Sequence, residues 1–508
     1  MGANLRGKPW PVTASCCLAL VLIMASVTGI NLALKGIAVD LHASGSQLTW
    51  VADAYTVVLA ALVLACGAMG DDFGRRSTLL AGTAIFGVAA AVAATGQSAS
   101  FLIVCRAVMG LGAALAMPST LSTITAVFPA ERRDQAIGIW AGFASVGALV
   151  GLLLSGALLE GFSWRSTFVA TAVLAAFSFV ATLVLTPNTK AEEEPLPDFV
   201  ATALTAVGVG ALVYAIIEGA DRGWRHPLTM GAFALAAVCL TGWVLYDLRI
   251  ARPILEPRLF LHRGFSAGSA ALVIQFLGTF GFFYVGLQYV QLVLGYGPFR
   301  SAVAFLPMAA VIMPLSAMAP RLAERIGNRL VMAAGLLCMI AAFLAMTRLR
   351  VSSGYPEFLL ATLVFSGGLA LSATPATTVI VGSLPAGKRG VASAVNDVTR
   401  ELGSAIGIAL LGSLFSSFYR AKVEVGLTGL PQQALDYVKD SPAAGLEIAS
   451  DPRLGAQGAV LATHIREAFM HGMSQAFLVG AVTVAVGLVY VVLVTPGHDV
   501  SEQAGTRS

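Results

Sequence analysis

Apolar residues in this chain come in long blocks, each closed by a short polar stretch. About fourteen of these blocks reach the ~20 residues needed to cross the hydrocarbon core of a bilayer. They read as spans 14–38, 47–69, 77–96, 100–127, 135–159, 166–186, 199–218, 228–247, 264–292, 300–320, 330–347, 357–383, 390–418 and 471–494. The first block follows Arg6 and Lys8, as the core of a secretory leader would. It is too long for a leader and a second block follows at once, so it reads as an uncleaved helix. The pattern predicts an all-α polytopic membrane protein.

Composition agrees. Of 508 residues, 57% are hydrophobic and 11% charged, and the mean hydropathy is +0.82; soluble domains carry about 25% charged residues. Alternate loops differ in basic residues. One set holds Arg75, Arg76, Arg132, Arg133, Arg249, Arg252, Arg258, Arg263, Arg321, Arg325, Arg329, Lys388 and Arg389, the other chiefly Arg165, Arg222, Arg225, Arg348 and Arg350. That bias places both termini in the cytoplasm and makes this a multi-pass protein of the cell membrane. It also accounts for the net charge of +4 without a nucleic-acid partner.

Several chemistries are excluded by pattern. The six cysteines all fall within predicted spans with no C-x-x-C spacing, so they read as packing residues. The six histidines show no metal-ligand spacing, and no metal is expected. The stretch Gly382–Arg389 (GSLPAGKR) comes near a phosphate loop, but it lacks the closing Ser or Thr, contains Pro385 and joins two spans. No nucleophile–His–acid set can be claimed either. The expectation is a non-enzyme with no cofactor, driven by an ion gradient.

The chain repeats itself. Gly67–Gly82 (GAMGDDFGRRSTLLAG) aligns with Pro320–Gly335 (PRLAERIGNRLVMAAG), matching Asp71 to Glu324, Gly74 to Gly327 and Arg76 to Arg329. Each copy follows the second span of a six-span unit. Spans 1–6 and 9–14 are therefore parallel repeats, with a substrate expected near the midplane between them. The division predicted is 1–186 for the first bundle, 187–263 for a linker and an inserted span pair 7 and 8, 264–494 for the second bundle and 495–508 for a tail. Residues 419–469 read as one long outer loop, either an amphipathic hairpin or a partly disordered cover. The stretch Gly67–Arg76 reads as a tight turn in which Asp71 caps or salt-bridges a neighbouring helix end.

Charges inside spans narrow the function. Each costs about 2.5–3.5 kcal/mol at a helix centre on insertion scales, so each needs a partner or a use. Five stand out: Asp53, Arg106, Asp397, Arg400 and Glu401. Asp53 lies about 9 Å from the outer end of span 2. On span 13, at about 100° per residue, Asn396, Arg400, Asp397 and Glu401 share an arc of about 140°. Asp397 and Arg400 are spaced to neutralise each other. Glu401, about 16 Å from the cytoplasmic end, is left as a candidate proton carrier; the plainer reading is a polar stripe that pins span 13 to its neighbours. Asp53 has a plain reading too, as an interfacial acid wetted from outside. Tyr55, Tyr289 and other aromatics near them (Trp50, Trp140, Phe276, Phe280, Phe283, Tyr284, with Met308) are candidates to line a pocket for lipophilic cations.

The turn motif resembles the signature loop of the major facilitator superfamily, Gly-x-x-x-Asp-Arg-x-Gly-Arg-Arg, at Gly67, Asp71, Gly74, Arg75 and Arg76; Asp72 stands where an Arg is usual. Residues 198–224, Ser163-Trp164-Arg165, Gln291–Tyr296 and Ala394–Gly403 are similar to the fourteen-helix drug:proton antiporter branch, with its quaternary-ammonium and multidrug exporters. The resemblance implies two six-helix pseudo-repeat bundles with an inserted pair, and proton-coupled export of lipophilic, mainly cationic drugs. It also implies proton or cation roles for Asp53, Asp397 and Glu401. Arg106 matches the family's Arg-x-x-Gln-Gly arginine, apart from Met109 in place of Gln. That arginine is linked to proton transfer, while a clamp on carbonyl groups is the structural alternative. Asn31, Tyr55, Tyr289, Gln291 and Asn396 are the implied substrate-lining set. Two departures matter. Ser26 and Lys35 replace an acid and a proline on span 1, and Leu152 replaces a proline after Gly151, so the span 5 kink is expected to be lost while its glycines (Gly142, Gly147, Gly151, Gly156) keep their close packing. With few membrane acids, monovalent cations or neutral lipophiles are expected over dications. Partners are then drugs or metabolites, protons and lipid, with the chain a monomer. Two rivals remain: a dedicated exporter of one metabolite, lipid or peptide on the same fold, and a non-transporting membrane scaffold or sensor.

Overall fold

The computed structural model describes residues 8–41, 43, 45–188, 198–250, 257–384, 389–424, 438–439 and 441–495. Among these, fourteen helices are long and apolar enough to cross a membrane, and there is no strand. The first six are α1 (Pro9–Asp40), α2 (Gly45–Phe73), α3 (Arg75–Ala93), α4 (Ala99–Val127), α5 (Ala130–Gly161) and α6 (Arg165–Leu185). The inserted pair is α7 (Phe199–Arg222) and α8 (Pro227–Asp247). The last six begin with α9 (Arg263–Gln288) and α10, in two pieces (Pro298–Phe305 and Pro307–Ile326). They end with α11 (Asn328–Met346), α12 (Tyr355–Gly382), α13 (Arg389–Glu424) and α14 (Gly455–Val494). Pro307, which has no N–H to donate, sits at the break in α10. α1 starts from what we term the near face; the chain then alternates between near and far.

The internal repeat is visible in the packing. α1 lies on α5 as α9 lies on α13, α2 on α4 as α10 on α12, and α3 on α4 and α6 as α11 on α12 and α14. A close backbone approach is duplicated as well. A Cβ on Gly82 would lie 2.6 Å from the Gly112 carbonyl oxygen, and one on Gly335 would lie 2.8 Å from that of Gly368. These two sites correspond in the sequence repeat. The two halves meet along two seams, α2 against α13 and α5 against α10. α7 covers the first seam, packing Val209, Val213 and Ile216 against Ala60 of α2 and Ala405 and Ala409 of α13, and α8 packs on α7.

Three expectations change. The stretch from Gly67 is not a ten-residue turn: α2 runs helical to Phe73 and α3 starts at Arg75. Gly74 alone makes the turn, at φ 101°, and Gly327 repeats it at 86°; a single residue in this left-handed region is enough, and glycine enters it without a Cβ penalty. Among the described residues, the expected 419–469 loop is largely helical. α13 runs to Glu424, a short helix covers Pro442–Ala449, and α14 starts at Gly455, about sixteen residues before the predicted span. Its polar first turns are held from outside the membrane pattern: the His464 ring bonds the Val423 carbonyl at 2.9 Å and Arg466 Nε donates to the Leu292 carbonyl at 3.4 Å. Hydropathy alone does not register such tertiary anchors. Finally, α10 is broken where one uninterrupted span was expected. α5 is continuous, as the absence of the proline predicts. The side chain of Lys35 and the residues beyond 495 lie outside the described residues.

Candidate functional site

A cavity of about 840 Å³ lies between the halves. Its wall is drawn from α1, α2, α4, α5 and α7 on one side and α9, α10, α12 and α13 on the other. Four charged residues line it: Asp53 on α2 and Arg400, Glu401 and Arg420 on α13. Phe276, Phe280, Phe283 and Tyr284 supply an aromatic wall from α9, and Thr28, Asn31, Thr56, Thr279 and Gln288 supply hydroxyl and amide groups. The lining climbs from Met117 and Leu369 in mid-helix to Gln288 and Arg420 near the far ends of α9 and α13.

Arg400 reaches the cavity wall while remaining only 5% exposed. Its guanidinium carbon lies 4.6 Å from the Phe276 ring centre and 5.0 Å from that of Trp140. Nη1 is 3.9 Å from Asp397 Oδ1, a loose ion pair at the i,i+3 spacing the sequence suggested. Asp397 and Asn396 are fully buried. Asn396 Nδ2 donates to Asp397 Oδ1 at 3.3 Å, and the Thr377 hydroxyl donates to Asn396 Oδ1 at 2.9 Å. The α13 arc thus divides: Arg400 and Glu401 line the cavity, whereas Asn396 is bonded to Thr377 of α12 and Asp397 is buried between Asn396 and Arg400.

Arg106 is buried and lies off the main cavity. Nε donates to the Val51 carbonyl at 3.0 Å, Nη2 to the Ala52 carbonyl at 3.3 Å and Nη1 to the Ser26 hydroxyl at 3.2 Å, with the Tyr55 ring 4.6 Å from its guanidinium carbon. It therefore clamps the α2 backbone immediately before Asp53, whose charge is within electrostatic reach. Ser26, in place of the family's acid, is one of its acceptors. Tyr55 packs into the first bundle against Phe86. Tyr289 is buried against Phe358 and donates to the Ser353 carbonyl at 3.4 Å. Gln291 lies in the π turn Tyr289–Val293 after α9. Of the five residues proposed to line substrate, only Asn31 is on the cavity wall. Of the other candidates, Trp50 packs at a tilt against Tyr214, Trp140 donates to the Thr120 hydroxyl, and Met308 is buried.

The near end of the α2–α13 seam is closed by a latch. Arg75 Nη2 donates to Asp71 Oδ1 at 2.6 Å, and Asp71 Oδ2 accepts the backbone N–H of Val391 at 3.3 Å. Val391 is in the first turn of α13, where unpaired N–H groups and the helix dipole favour a carboxylate. Asp71 and Arg75 are 4% and 2% exposed, so the pair is screened from water. Arg76 Nη2 donates to the Leu183 carbonyl at the end of α6, 2.8 Å away. Sequence reasoning anticipated a cap by Asp71 but not its recipient, because the partner is a main-chain group 320 residues along the chain. It also missed the hydroxyls Ser413, Ser416 and Ser417 on α13, whose i, i+3, i+4 spacing was the available signal.

A family model for the Major Facilitator Superfamily matches residues 16–408. The chain belongs to that superfamily. It is 34% identical over 483 residues to the multidrug efflux pump LfrA of Mycolicibacterium smegmatis, covering 94% of each chain. It is 28% identical over 494 residues to the tetracenomycin C resistance and export protein of Streptomyces glaucescens, covering 96% of this chain and 92% of that one. Among solved structures, the proton:xylose symporter XylE superposes with a TM-score of 0.61 at 13% identity, covering 98% and 97% of the two chains. At that identity the likeness concerns the fold.

Proposed function

We propose that this superfamily member is a proton-coupled multidrug exporter of a bacterial cell membrane, with lipophilic, mainly monovalent cations as cargo. The observation that carries the reading is the cavity itself: a large aromatic-walled space between the halves with one carboxyl group from each, Asp53 and Glu401. Aromatic faces and acids together suit a lipophilic cation, which the rings bind by cation–π attraction and the acids by charge. The same acids hold protons when the cation leaves. Exchange of one for the other couples cargo to the proton gradient. The names of LfrA and the tetracenomycin exporter support efflux.

With the near face assigned to the cytoplasm by the basic-loop bias, the structure corresponds to an outward-facing state. The latch at Asp71 holds the cytoplasmic end shut while the cavity extends outward. Protonation of Asp53 or Glu401 from outside then displaces cargo, and rocking of one bundle against the other returns the acids to the cytoplasm. Arg400 tunes Glu401 as its sequence neighbour, Asp397 tunes Arg400, and Arg106 positions the α2 segment that carries Asp53. No cofactor enters this cycle, and a monomer suffices for it. A second reading, a dedicated exporter of one metabolite, is favoured by the tetracenomycin C relative, whose name gives a single compound.

The test is ethidium transport in proteoliposomes under an acid-inside gradient. Uptake into the acidic lumen, lost in Glu401→Gln or Asp53→Asn, supports proton exchange at these acids. No gradient-driven ethidium movement by correctly inserted protein rejects the broad-cation reading in favour of the metabolite exporter.

A further inference from the structure

Arg400 occupies part of the surface on which a cationic cargo would settle. Its guanidinium carbon lies 4.6 Å from the ring centre of Phe276, and Phe276 stacks on Phe280 with centroids 6.0 Å apart and 25° between the planes. Both rings line the cavity, as Arg400 does. A second ring on Arg400 comes from the other half of the molecule. Trp140 of α5, fully buried and off the cavity wall, lies 5.0 Å from the same carbon. Its indole N–H donates to the Thr120 hydroxyl at 2.9 Å, which fixes the ring to α4. Arg400 is thus held by aromatic groups of both bundles, a setting that suits a bound cation.

Its acidic neighbour is only loosely engaged. Arg400 Nη1 stands 3.9 Å from Asp397 Oδ1, beyond hydrogen-bond range. Among the described residues neither Nη1 nor Asp397 Oδ2 has a hydrogen-bond partner, although both atoms are buried. Buried polar groups left in this way are destabilising. A shift of about 1 Å by the guanidinium would close a charge-assisted hydrogen bond of ~2.8 Å. Arg400 therefore has two seats, the rings and Asp397, and the structure shows it on the rings.

We propose that Arg400 is a tethered cation in the cargo's own aromatic site, that a lipophilic cation displaces it from Phe276 onto Asp397, and that Trp140 is the positioning residue that holds it on the rings until then. This rests on the exporter reading above. A cargo cation against Phe276 is repelled by the guanidinium over the same ring, and a partly dry wall screens that repulsion poorly. Movement to Asp397 relieves it and satisfies the loose pair. The seat on the rings lowers the apparent affinity for cations, because cargo binds the fraction of protein in which Phe276 is free. A neutral lipophile does not repel Arg400 and leaves it in place. Displacement also breaks the Arg400–Trp140 contact, so the arrival of a cation is felt where α13 touches the first bundle.

The test measures binding of a cation, tetraphenylphosphonium, and a neutral probe, triphenylphosphine oxide, to purified full-length protein. Trp140→Phe weakens the seat on the rings while keeping an aromatic group, and it is expected to tighten tetraphenylphosphonium binding by about twofold to fivefold, the range of one cation–π contact. Trp140→Tyr should fall between Phe and wild type. Neither should change the affinity for triphenylphosphine oxide. In an Arg400→Met background, Trp140→Phe should have no further effect, because no tethered cation remains to be held. Cation affinity that is unchanged or weaker in both Trp140 variants, in protein that melts as wild type does, overturns this inference alone. If Trp140→Phe melts early, Trp140→Tyr is read in its place. A gain shared by both probes, or one that persists in Arg400→Met, assigns Trp140 to packing and also overturns the inference. Wild-type protein that binds no tetraphenylphosphonium overturns the cation-exporter reading, and the displacement falls with it.

Discussion

The two seams between the bundles are related by the internal repeat, yet they are built from opposite materials. Along α2–α13 the contact is polar at the near end, where Asp71 accepts the Val391 N–H, and acidic further out, where Asp53 and Glu401 reach the cavity. α7 covers it from outside. Along α5–α10 the contact is dominated by close glycine packing: Gly138 abuts the Ser316 carbonyl, and a Cβ on Gly142 would lie 3.4 Å from Met313 Sδ, while Asp134 and Glu324 lie within electrostatic reach of each other. Repetition supplies two places for the halves to rock. Among the described residues, the α2–α13 seam joins the two helices that bring Asp53 and Glu401 to the cavity, and the same two helices are tied at their near ends by the latch. The glycine seam follows as a close-packed hinge surface.

That contrast orders the expected effects of substitution. If Glu401 exchanges protons as proposed, Glu401→Gln should lower gradient-driven drug uptake by about two orders of magnitude, the scale for an essential proton-transfer residue. Yield and thermal stability should stay near wild type; a variant that transports at half the normal rate removes Glu401 from the mechanism. Asp53→Asn, assayed in the same vesicles, should cost about tenfold or more, and equal retention of drug binding and transport would leave Asp53 as an interfacial acid. Gly138→Val probes the other seam. Overpacking against Ser316 should cost the near-closed state about 1–3 kcal/mol, seen as greater labelling of single cysteines placed on near-face positions of the cavity. Unchanged labelling would mean that the seam yields without opening. Asp71→Asn weakens the latch by about 1 kcal/mol, a shift of about fivefold in the same labelling assay. It should leave drug affinity in detergent nearly unchanged. Smallest of all is Tyr289→Phe. Its hydroxyl bonds Ser353 away from the cavity, so transport should match wild type; a loss of several fold would bring Tyr289 back into the substrate path.

Much of this was legible before any coordinates. Fourteen spans, the repeat and the intramembrane charges of span 13 all follow from length, spacing and the expense of charge in lipid. The candidate site was legible only in part. Asp53, Arg400, Glu401 and Asn31 reach the cavity, whereas Tyr55, Tyr289 and Asn396 turn into their own bundles. Aromatic and amide residues satisfy a bundle interior as readily as a pocket, so their chemistry does not say which way they face. For Arg106 the acceptors are the carbonyls of Val51 and Ala52, which have no sequence signal at all. The α14 extension was missed because its anchors are main-chain groups of other segments.

By itself, then, the sequence determined the membrane-spanning architecture, the pseudo-symmetry and the handful of intramembrane charges that had to be used. These depend on local composition and on the high free energy of polar groups in hydrocarbon, and both are properties of a segment read alone. Only the tertiary structure decided which charges meet: that Asp71 reaches α13, that Arg106 holds backbone and that Asp53 and Glu401 share one cavity. Those outcomes depend on helix rotation and on the packing of one bundle against the other. A helix that is apolar on every side leaves its rotation unspecified until its neighbours are in place.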